Sequence, residues 1–188
     1  MKEVLKEIVS TVLYLLTVVC VVFLLIKYVG QRTIVDGESM VPTLHHQDNL
    51  IVDKLSYRFR DPERFDIIVF PFEYAENVYY IKRIIGLPGE TVQIDKEGKI
   101  YIDGEVLEES YGAEVIRPEY IGIAAEEILL GEDEYFVLGD NRDSSEDSRF
   151  SNIGNVKREE IQGRVWLRVS PFSKFGKIGY GASVEGEK

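Results

Sequence analysis

This chain of 188 residues has very little cysteine and histidine. Cys20 is its only cysteine, so no intramolecular disulfide can form and the fold must depend on its core in any redox compartment. His45 and His46, the only two histidines, follow Ser39 by six and seven residues. That separation is too short for either ring to fold back easily, which disfavours a Ser-His-Asp arrangement. No cysteine cluster or further ligand at a recognisable spacing accompanies them, so no metal site is expected.

Basic charge is also scarce. The chain has 22 lysines and arginines against 33 aspartates and glutamates, a net charge of −11. Beyond residue 29 the imbalance is 19 against 31. Such an acidic surface repels phosphates, so nucleic acid is not expected as a partner.

Charge is absent altogether from residues 8 to 26, which form an apolar run of 19 residues. At 1.5 Å per residue this run comes close to the roughly 30 Å hydrocarbon core of a bilayer, so we predict a membrane anchor over 8–29, after a short segment 1–7. A cleavable signal peptide usually has an apolar core of about 7 to 15 residues that ends at a small-x-small site. The first alanine of the chain is Ala75, so no such site follows the run. A buried helix of a soluble protein is the remaining alternative.

Residues 30–188 are dominated by short segments rich in Val, Ile, Tyr and Phe, which favour β-strands. The predicted strands are 49–55, 65–70, 78–86, 91–95, 99–103, 134–140 and 164–169, with a hairpin across 96–98. A short helix is expected over 156–161, with Asn155 as its cap. The acidic interval 105–133 is poorly patterned and is expected to be a loop-rich insertion. The predicted fold is therefore a mostly β domain behind one transmembrane helix.

The segment DGESMVPTL, residues 36–44, makes Ser39 a candidate nucleophile. It is not the Gly-x-Ser-x-Gly elbow of α/β-hydrolases, because Val41 occupies the place of the second glycine. Another group must therefore take the proton of the serine.

Lys82 is the candidate base. It lies within YYIKRIIG, where strand alternation places it on the same face as Tyr80 and Ile84. If these neighbours face the core, lost hydration favours the neutral amine and lowers its pKa. A neutral lysine can accept a serine proton, as in known Ser-Lys variants of the catalytic triad. The alternative is a lysine that extends along the sheet to water.

The loop GDNRDSSEDSR, residues 139–149, is too polar for a core. It is either a charged surface turn or a loop packed near the Ser-Lys pair. In the second case, serine hydroxyls would orient the amine and Asp-Arg pairs would hold the loop.

Three segments together, GESMVPTL (37–44), YYIKRIIGLPGE (79–90) and GDNRDSSEDSR (139–149), resemble in order and spacing the signature boxes of bacterial type I signal peptidases. FDIIVF (65–70) and VSPFSKFG (169–176) extend the resemblance. It implies an antiparallel β-sheet catalytic domain of the signal peptidase type. It also implies a membrane-bound serine endopeptidase that removes signal peptides from exported preproteins after small-x-small (Ala-x-Ala) sites, with no metal or organic cofactor.

The resemblance also implies roles for individual residues. Ser39 corresponds to the nucleophile, Lys82 to the general base and Ser145 to the serine that hydrogen-bonds the lysine amine. Polar supports around the site correspond to Asp140, Asp147 and Arg149. Shallow pockets for the small substrate residues at −1 and −3 correspond to Met40, Tyr80 and Ile81.

Two departures from the family pattern leave gaps. Many Gram-negative members have a serine two residues before the nucleophile that supplies a second oxyanion donor, but this chain has Gly37 there, so that donor is unassigned. His45 and His46 replace a usual Gly-Asp turn and have no family role. Eukaryotic-type and archaeal relatives have histidine in place of the lysine, so Lys82 indicates the bacterial type.

The expected partners are preprotein signal peptides, the lipid bilayer and, by proximity, the secretion translocon. The resemblance implies a single-pass protein of the cell membrane with its N-terminus in the cytoplasm and its catalytic domain outside. A self-cleaving repressor of the related Ser-Lys class is disfavoured by the membrane span and by the lack of a helix-turn-helix. A catalytically inactive, membrane-anchored binding or scaffold domain is the alternative from another class.

Overall fold

The structure is a computed structural model that describes residues 2–28, 30–72, 75–109, 111–112 and 115–178. It begins with one long helix, α1 (Lys2–Tyr28). Within Lys2–Phe23 a stretch of 18 residues has a mean hydropathy of 2.0, and none of that stretch is buried against the rest of the chain. A core helix of a soluble protein would be covered by other elements, so that alternative is wrong. By length and composition, α1 can cross a membrane.

The rest of the described chain is built mainly from short antiparallel strands. They are β1 (Gly30–Ile34), β2 (Asn49–Asp53), β3 (Ile67–Pro71), β4 (Tyr79–Gly86), β5 (Thr91–Ile94), β6 (Ile100–Ile102), β7 (Glu105–Val106), β8 (Ile128–Leu129), β9 (Glu134–Leu138), β10 (Val156–Lys157), β11 (Gly163–Ser170) and β12 (Gly176–Lys177). Single 3₁₀ turns occupy Ser56–Arg58, Pro118–Tyr120, Gly122–Ala125, Arg142–Ser144, Arg158–Glu160 and Phe172–Lys174. The mostly β fold with one N-terminal helix is thus confirmed.

Two sheets share these strands. The larger has the order β1-β2-β11-β3-β4-β9-β10, with β12 paired to β11, and the smaller has the order β7-β6-β5-β8. The sheets pack together because Phe136 and Leu138 of β9 share a buried cluster with Val92 and Ile94 of β5. Gly86 is needed where β4 leaves the large sheet, since a Cβ there would lie 2.5 Å from Cγ2 of Val92.

The seven predicted strands are present with small shifts of their ends, and the hairpin across 96–98 joins β5 to β6. The predicted helix over 156–161 is wrong. Val156 and Lys157 pair instead with β9, and a single 3₁₀ turn follows. Six residues form too few helical hydrogen bonds to compete with pairing at a sheet edge that also buries Val156.

Two short strands and two 3₁₀ turns lie within the interval 105–133, among irregular segments. Its ends form β7 and β8, which extend the β5–β6 hairpin on both sides into the small sheet. Ile116, Ile121 and Ala124 of this interval are buried in the core below that sheet. The interval is therefore packed onto the domain, close to the connection that follows β9.

Strand β4 is the element that places the site. It lies between β3 and β9, with Lys82 opposite Ile68 and Arg83 opposite Leu138. Hydrogen bonding on both sides fixes the positions of Lys82 and Arg83 relative to the connection after β9, which holds residues 139–149.

Candidate active site

Ser39 lies in the connection between β1 and β2. Two hydrogen bonds close this connection at its base: Val35 N–H donates to Asp48 C=O at 2.9 Å, and Gln47 N–H donates to Val35 C=O at 2.9 Å. Met40 is 2 % exposed and packs into the core beneath the turn, next to Val35. Ser39 is therefore a half-buried side chain on an anchored turn.

Lys82 meets this serine from β4. Its Nζ lies 2.8 Å from Oγ of Ser39 and 3.2 Å from the carbonyl oxygen of Ile81. The residue is only 4 % exposed, so the inward orientation expected from strand alternation is observed. The two candidate groups, 43 residues apart in sequence, are in hydrogen-bond contact.

Burial lowers the pKa of Lys82 from 10.5 to about 8, because the ammonium loses hydration. Carboxylates of Asp147, Glu146 and Asp140 act in the opposite direction, and Arg149 adds to the lowering. With a pKa near 8, about one amine in ten is neutral at pH 7. A neutral amine in contact with a hydroxyl can take its proton, so the pair has the geometry of a nucleophile and its base.

The loop 139–149 packs directly against the Ser39 turn. Asn141 N–H donates to the C=O of Ser39 at 3.0 Å, and Asn141 Nδ2 donates to the C=O of Glu38 at 3.2 Å. A Cβ at Gly139 would lie 2.5 Å from the Ser39 carbonyl oxygen and 2.2 Å from Oγ of Ser145. Only glycine at 139 therefore permits this close approach.

Asp140 and Arg83 form a buried ion pair that joins the loop to β4. Arg83 Nε donates to Oδ1 of Asp140 at 2.8 Å and Nη2 donates to Oδ2 at 2.6 Å, while Thr43 Oγ1 donates to Oδ2 at 2.5 Å. Arg83 is 1 % exposed. Arg83 was not identified from the sequence. Its position among the apolar residues of β4 could have indicated a buried arginine that needs a carboxylate partner.

A second buried pair lies within the loop. Arg149 donates to both carboxylate oxygens of Asp147 at 2.7 and 2.8 Å, and Asp147 also accepts the Gly139 N–H at 3.0 Å. Arg149 further donates to the carbonyls of Tyr120 and Arg142 at 3.0 and 2.7 Å. These bonds hold the loop as a compact unit.

Ser145 does not make the contact that the resemblance implies. Its Oγ is buried without a hydrogen-bond partner among the described residues, and Lys82 donates to Ser39 and Ile81 instead. Ser145 is nevertheless held next to Gly139, at the base of the loop.

A groove of about 500 Å³ runs past the pair. Ser39, Lys82, Met40, Tyr80 and Ile81 all contribute to its lining. One wall consists of residues 33–38, from the end of β1 into the turn that follows, and the other of residues 77–82 at the start of β4. Met40, Tyr80 and Ile81 are thus placed beside Ser39, and the Tyr80 hydroxyl is held by Glu146 at 3.1 Å.

His45 and His46 have partners other than Ser39 and Lys82. His46 Nδ1 accepts the N–H of Gly37 at 3.2 Å, and His45 Nδ1 is 3.5 Å from Nζ of Lys174. Across the described ranges no group of three or more His, Cys, Asp or Glu residues could hold a metal ion.

The chain is similar to known signal peptidases in its sequence. Residues 8–170 match the family described as "Signal peptidase, peptidase S26". A signal peptidase I of Leptolyngbya laminosa is 42 % identical over 159 residues, which cover 81 % of this chain and 74 % of the relative. One from Bacillus caldolyticus is 40 % identical over 166 residues, covering 84 % and 88 %. A crystal structure of a signal peptidase I from Enterococcus faecalis matches with a TM-score of 0.46 and 36 % identity, covering 56 % of this chain and 97 % of that one.

The Arg83–Asp140 pair can be tested by a double-mutant cycle. Arg83→Met leaves the Asp140 carboxylate buried without its partner, which should cost about 3 to 5 kcal/mol in the free energy of unfolding. Adding Asp140→Leu should recover part of that loss, because both charges are then gone. Denaturation of the full chain in detergent measures both values. The exposed pair Lys99–Glu97 is the control and should contribute much less than the buried pair, because solvent screens its charges; equal losses for the two pairs would contradict the assignment.

Proposed function

The chain belongs to the signal peptidase family, peptidase S26, and we propose that it cleaves signal peptides from preproteins with Ser39 as nucleophile and Lys82 as general base. The observation that supports these roles is the 2.8 Å contact between Nζ of a buried lysine and Oγ of a serine that lines a groove. The enzyme class follows from the family, and the assignment of the groups follows from this contact.

The chemistry begins with the neutral amine. Lys82 Nζ takes the proton of Ser39 while Oγ bonds to the carbonyl carbon of the scissile peptide. The tetrahedral anion collapses with cleavage of the C–N bond, and the Lys82 ammonium gives its proton to the leaving amine. Water then attacks the acyl-enzyme, with Lys82 again accepting a proton and Ser39 regaining its own.

The anion formed in this step needs fixed donors. The backbone N–H of Ser39 has no acceptor among the described residues, so it is free to bind the oxyanion. Loss of one such donor typically lowers the rate by about 100- to 1000-fold. Gly37 N–H, which donates to His46, is not available as a second donor in this arrangement.

Substrate specificity follows from the groove. Met40 fills its floor from the core, while Tyr80 and Ile81 supply the wall next to Ser39. The proposed subsites for small side chains at the −1 and −3 positions lie along this wall, and the proposed cleavage site follows Ala-x-Ala.

The arrangement in the membrane is part of the same proposal. Residues 1–7 lie in the cytoplasm, 8–29 anchor the chain, and 30–188 form the catalytic domain on the extracytoplasmic side, near the translocon that delivers the substrate. α1 ends at Tyr28 and β1 begins at Gly30, so little chain separates the anchor from the wall of the groove. A scissile bond that emerges at the membrane surface is thus within reach.

Removal of either group should abolish cleavage. With a detergent-solubilised full chain and a peptide bearing Ala-x-Ala, Ser39→Ala and Lys82→Ala should each lower kcat by about 10⁴-fold or more, because neither attack nor proton transfer has a substitute. Exposed Ser151 and Lys96 provide the matched controls Ser151→Ala and Lys96→Ala, which should keep wild-type rates. A peptide with Leu at −1 should not be cut.

Each other outcome has a distinct meaning. Near-normal activity of Lys82→Ala would require another base. A wild-type enzyme that binds the peptide but never cuts it would instead favour the catalytically inactive scaffold.

The pH profile tests the state of the lysine. Because Lys82 acts as a neutral base and its pKa is about 8, kcat/KM should rise with pH up to about 8 and then level off. Initial rates from pH 6 to 10 measure this. A rise in kcat/KM centred near pH 10.4, the pKa of an exposed lysine, would contradict the role of burial.

The orientation can be read by labelling intact cells with a membrane-impermeant maleimide. In a Cys20→Ser background, Ser151→Cys should be labelled and Glu3→Cys should be labelled only after the cells are opened. The reverse pattern would place the catalytic domain in the cytoplasm.

A further inference from the structure

The interval 105–133 reaches the back of the loop that holds Asp140 and Ser145. Two of its residues, Glu109 and Tyr111, contact buried arginines: Glu109 contacts Arg142 within that loop, and Tyr111 contacts Arg83 on β4. Neither residue lies in a segment that resembles a known signature, and neither lines the groove. Their contacts therefore need a separate explanation.

Glu109 pairs with Arg142, which is 2 % exposed. Both carboxylate oxygens are used: Nη2 donates to Oε2 at 2.7 Å, and Nη1 donates to Oε1. Arg142 in turn donates from Nε to the C=O of Gly139 at 3.0 Å, and its own C=O accepts from Arg149 at 2.7 Å. The ion pair thus extends to Gly139, the residue that approaches the Ser39 carbonyl.

Tyr111 covers the other arginine. The guanidinium carbon of Arg83 lies 3.9 Å from the centre of the Tyr111 ring, and that of Arg142 lies 5.9 Å from it. The ring of Phe65 meets the same tyrosine edge-on, with the centroids 5.4 Å apart. An aromatic face next to a desolvated guanidinium is attractive, so Tyr111 favours the position in which Arg83 pairs with Asp140.

We propose that Glu109 and Tyr111 are positioning residues for the Ser39–Lys82 pair, acting through Arg142 and Arg83. The first arginine fixes the loop against the Ser39 turn, and the second follows Lys82 on β4. Together the Glu109–Arg142 and Tyr111–Arg83 contacts keep the loop 139–149 packed against β4. The inference rests on the proposed roles of Ser39 and Lys82.

The physical link is exclusion of water. The charged groups with the largest effect on the pKa of the Lys82 amine are Asp140, Glu146, Asp147 and Arg149, and all four belong to the loop. If the loop separates from β4, water reaches the amine and stabilises its charged form. The carboxylates of the loop also act less strongly on the amine once the loop has moved, but burial is the largest cause of the shift, so the net result is a higher pKa. Loss of the Glu109 or Tyr111 contact should therefore raise the pKa of the Lys82 amine and favour its protonated form, which cannot act as a base.

The test compares two substitutions with matched controls in the full chain in detergent. Glu109→Gln removes the ion pair, and Glu108→Gln makes the same charge change at an exposed neighbour. Tyr111→Leu removes the ring, and Tyr111→Phe keeps it. For each we would measure kcat/KM from pH 6 to 10. Competitive acetylation with mass spectrometry of the Lys82 peptide would give the pKa of the amine without any need for activity.

Glu109→Gln and Tyr111→Leu should lose about tenfold in kcat/KM at pH 7 for each unit by which the Lys82 pKa rises, and should recover near pH 10. Tyr111→Phe and Glu108→Gln should follow the wild-type profile. If Tyr111→Leu does not fold, Glu109→Gln decides alone.

A lower melting temperature with an unchanged pKa of Lys82 would overturn the proposal, because the residues would then only stabilise the fold. The acetylation result stands even if the wild type cuts no peptide. Failure of the proposed function and failure of this inference are therefore distinguishable.

Discussion

The burial of one lysine amine against one serine hydroxyl is the constraint on which the rest of the site depends. A shift of the Lys82 pKa from 10.5 to about 8 means that folding is destabilised by about 3 kcal/mol at neutral pH. Since the folded state holds the proton less tightly, this cost is complete below pH 8 and disappears as the pH rises past 10.5. Favourable packing elsewhere must offset it, and the lowered pKa is what the proposed role of the amine as a base requires.

Three buried arginines lie around the Ser39–Lys82 pair. Arg83, Arg142 and Arg149 are each at most 2 % exposed, and each is matched by a carboxylate. Pairs of this kind add little net stability, because desolvation cancels much of the attraction. Their contribution is geometric: guanidinium forks tie β4, the loop after β9 and the interval 105–133 together at fixed angles. The Ser39 turn is then held by backbone contacts to that loop.

The same architecture relates the site to the membrane. The large sheet begins at β1, directly after α1, and the chain that leaves β1 forms both a wall of the groove and the turn with Ser39. Within Lys2–Phe23 the apolar surface of α1 is covered by no described part of the domain, and the length and composition of the helix suit a membrane span. The proposed arrangement at the membrane depends on this short connection, because little chain separates α1 from the residues that line the groove.

The sequence by itself determined the strands rich in β-branched residues, the β5–β6 hairpin, the apolar anchor and the choice of Ser39 and Lys82 as candidates, because these depend on local pattern and on the chemistry of single residues. It failed for Val156–Ile161, where an edge of the sheet outweighed a weak helical pattern, and for β7 and β8, whose pairing partners are distant in the chain. Only the tertiary structure decided that Arg83 pairs with Asp140, that Ser145 does not reach Lys82, and that the Lys82 side chain is buried. Burial and long-range contact arise when strands far apart in sequence are packed together, and no local pattern encodes them.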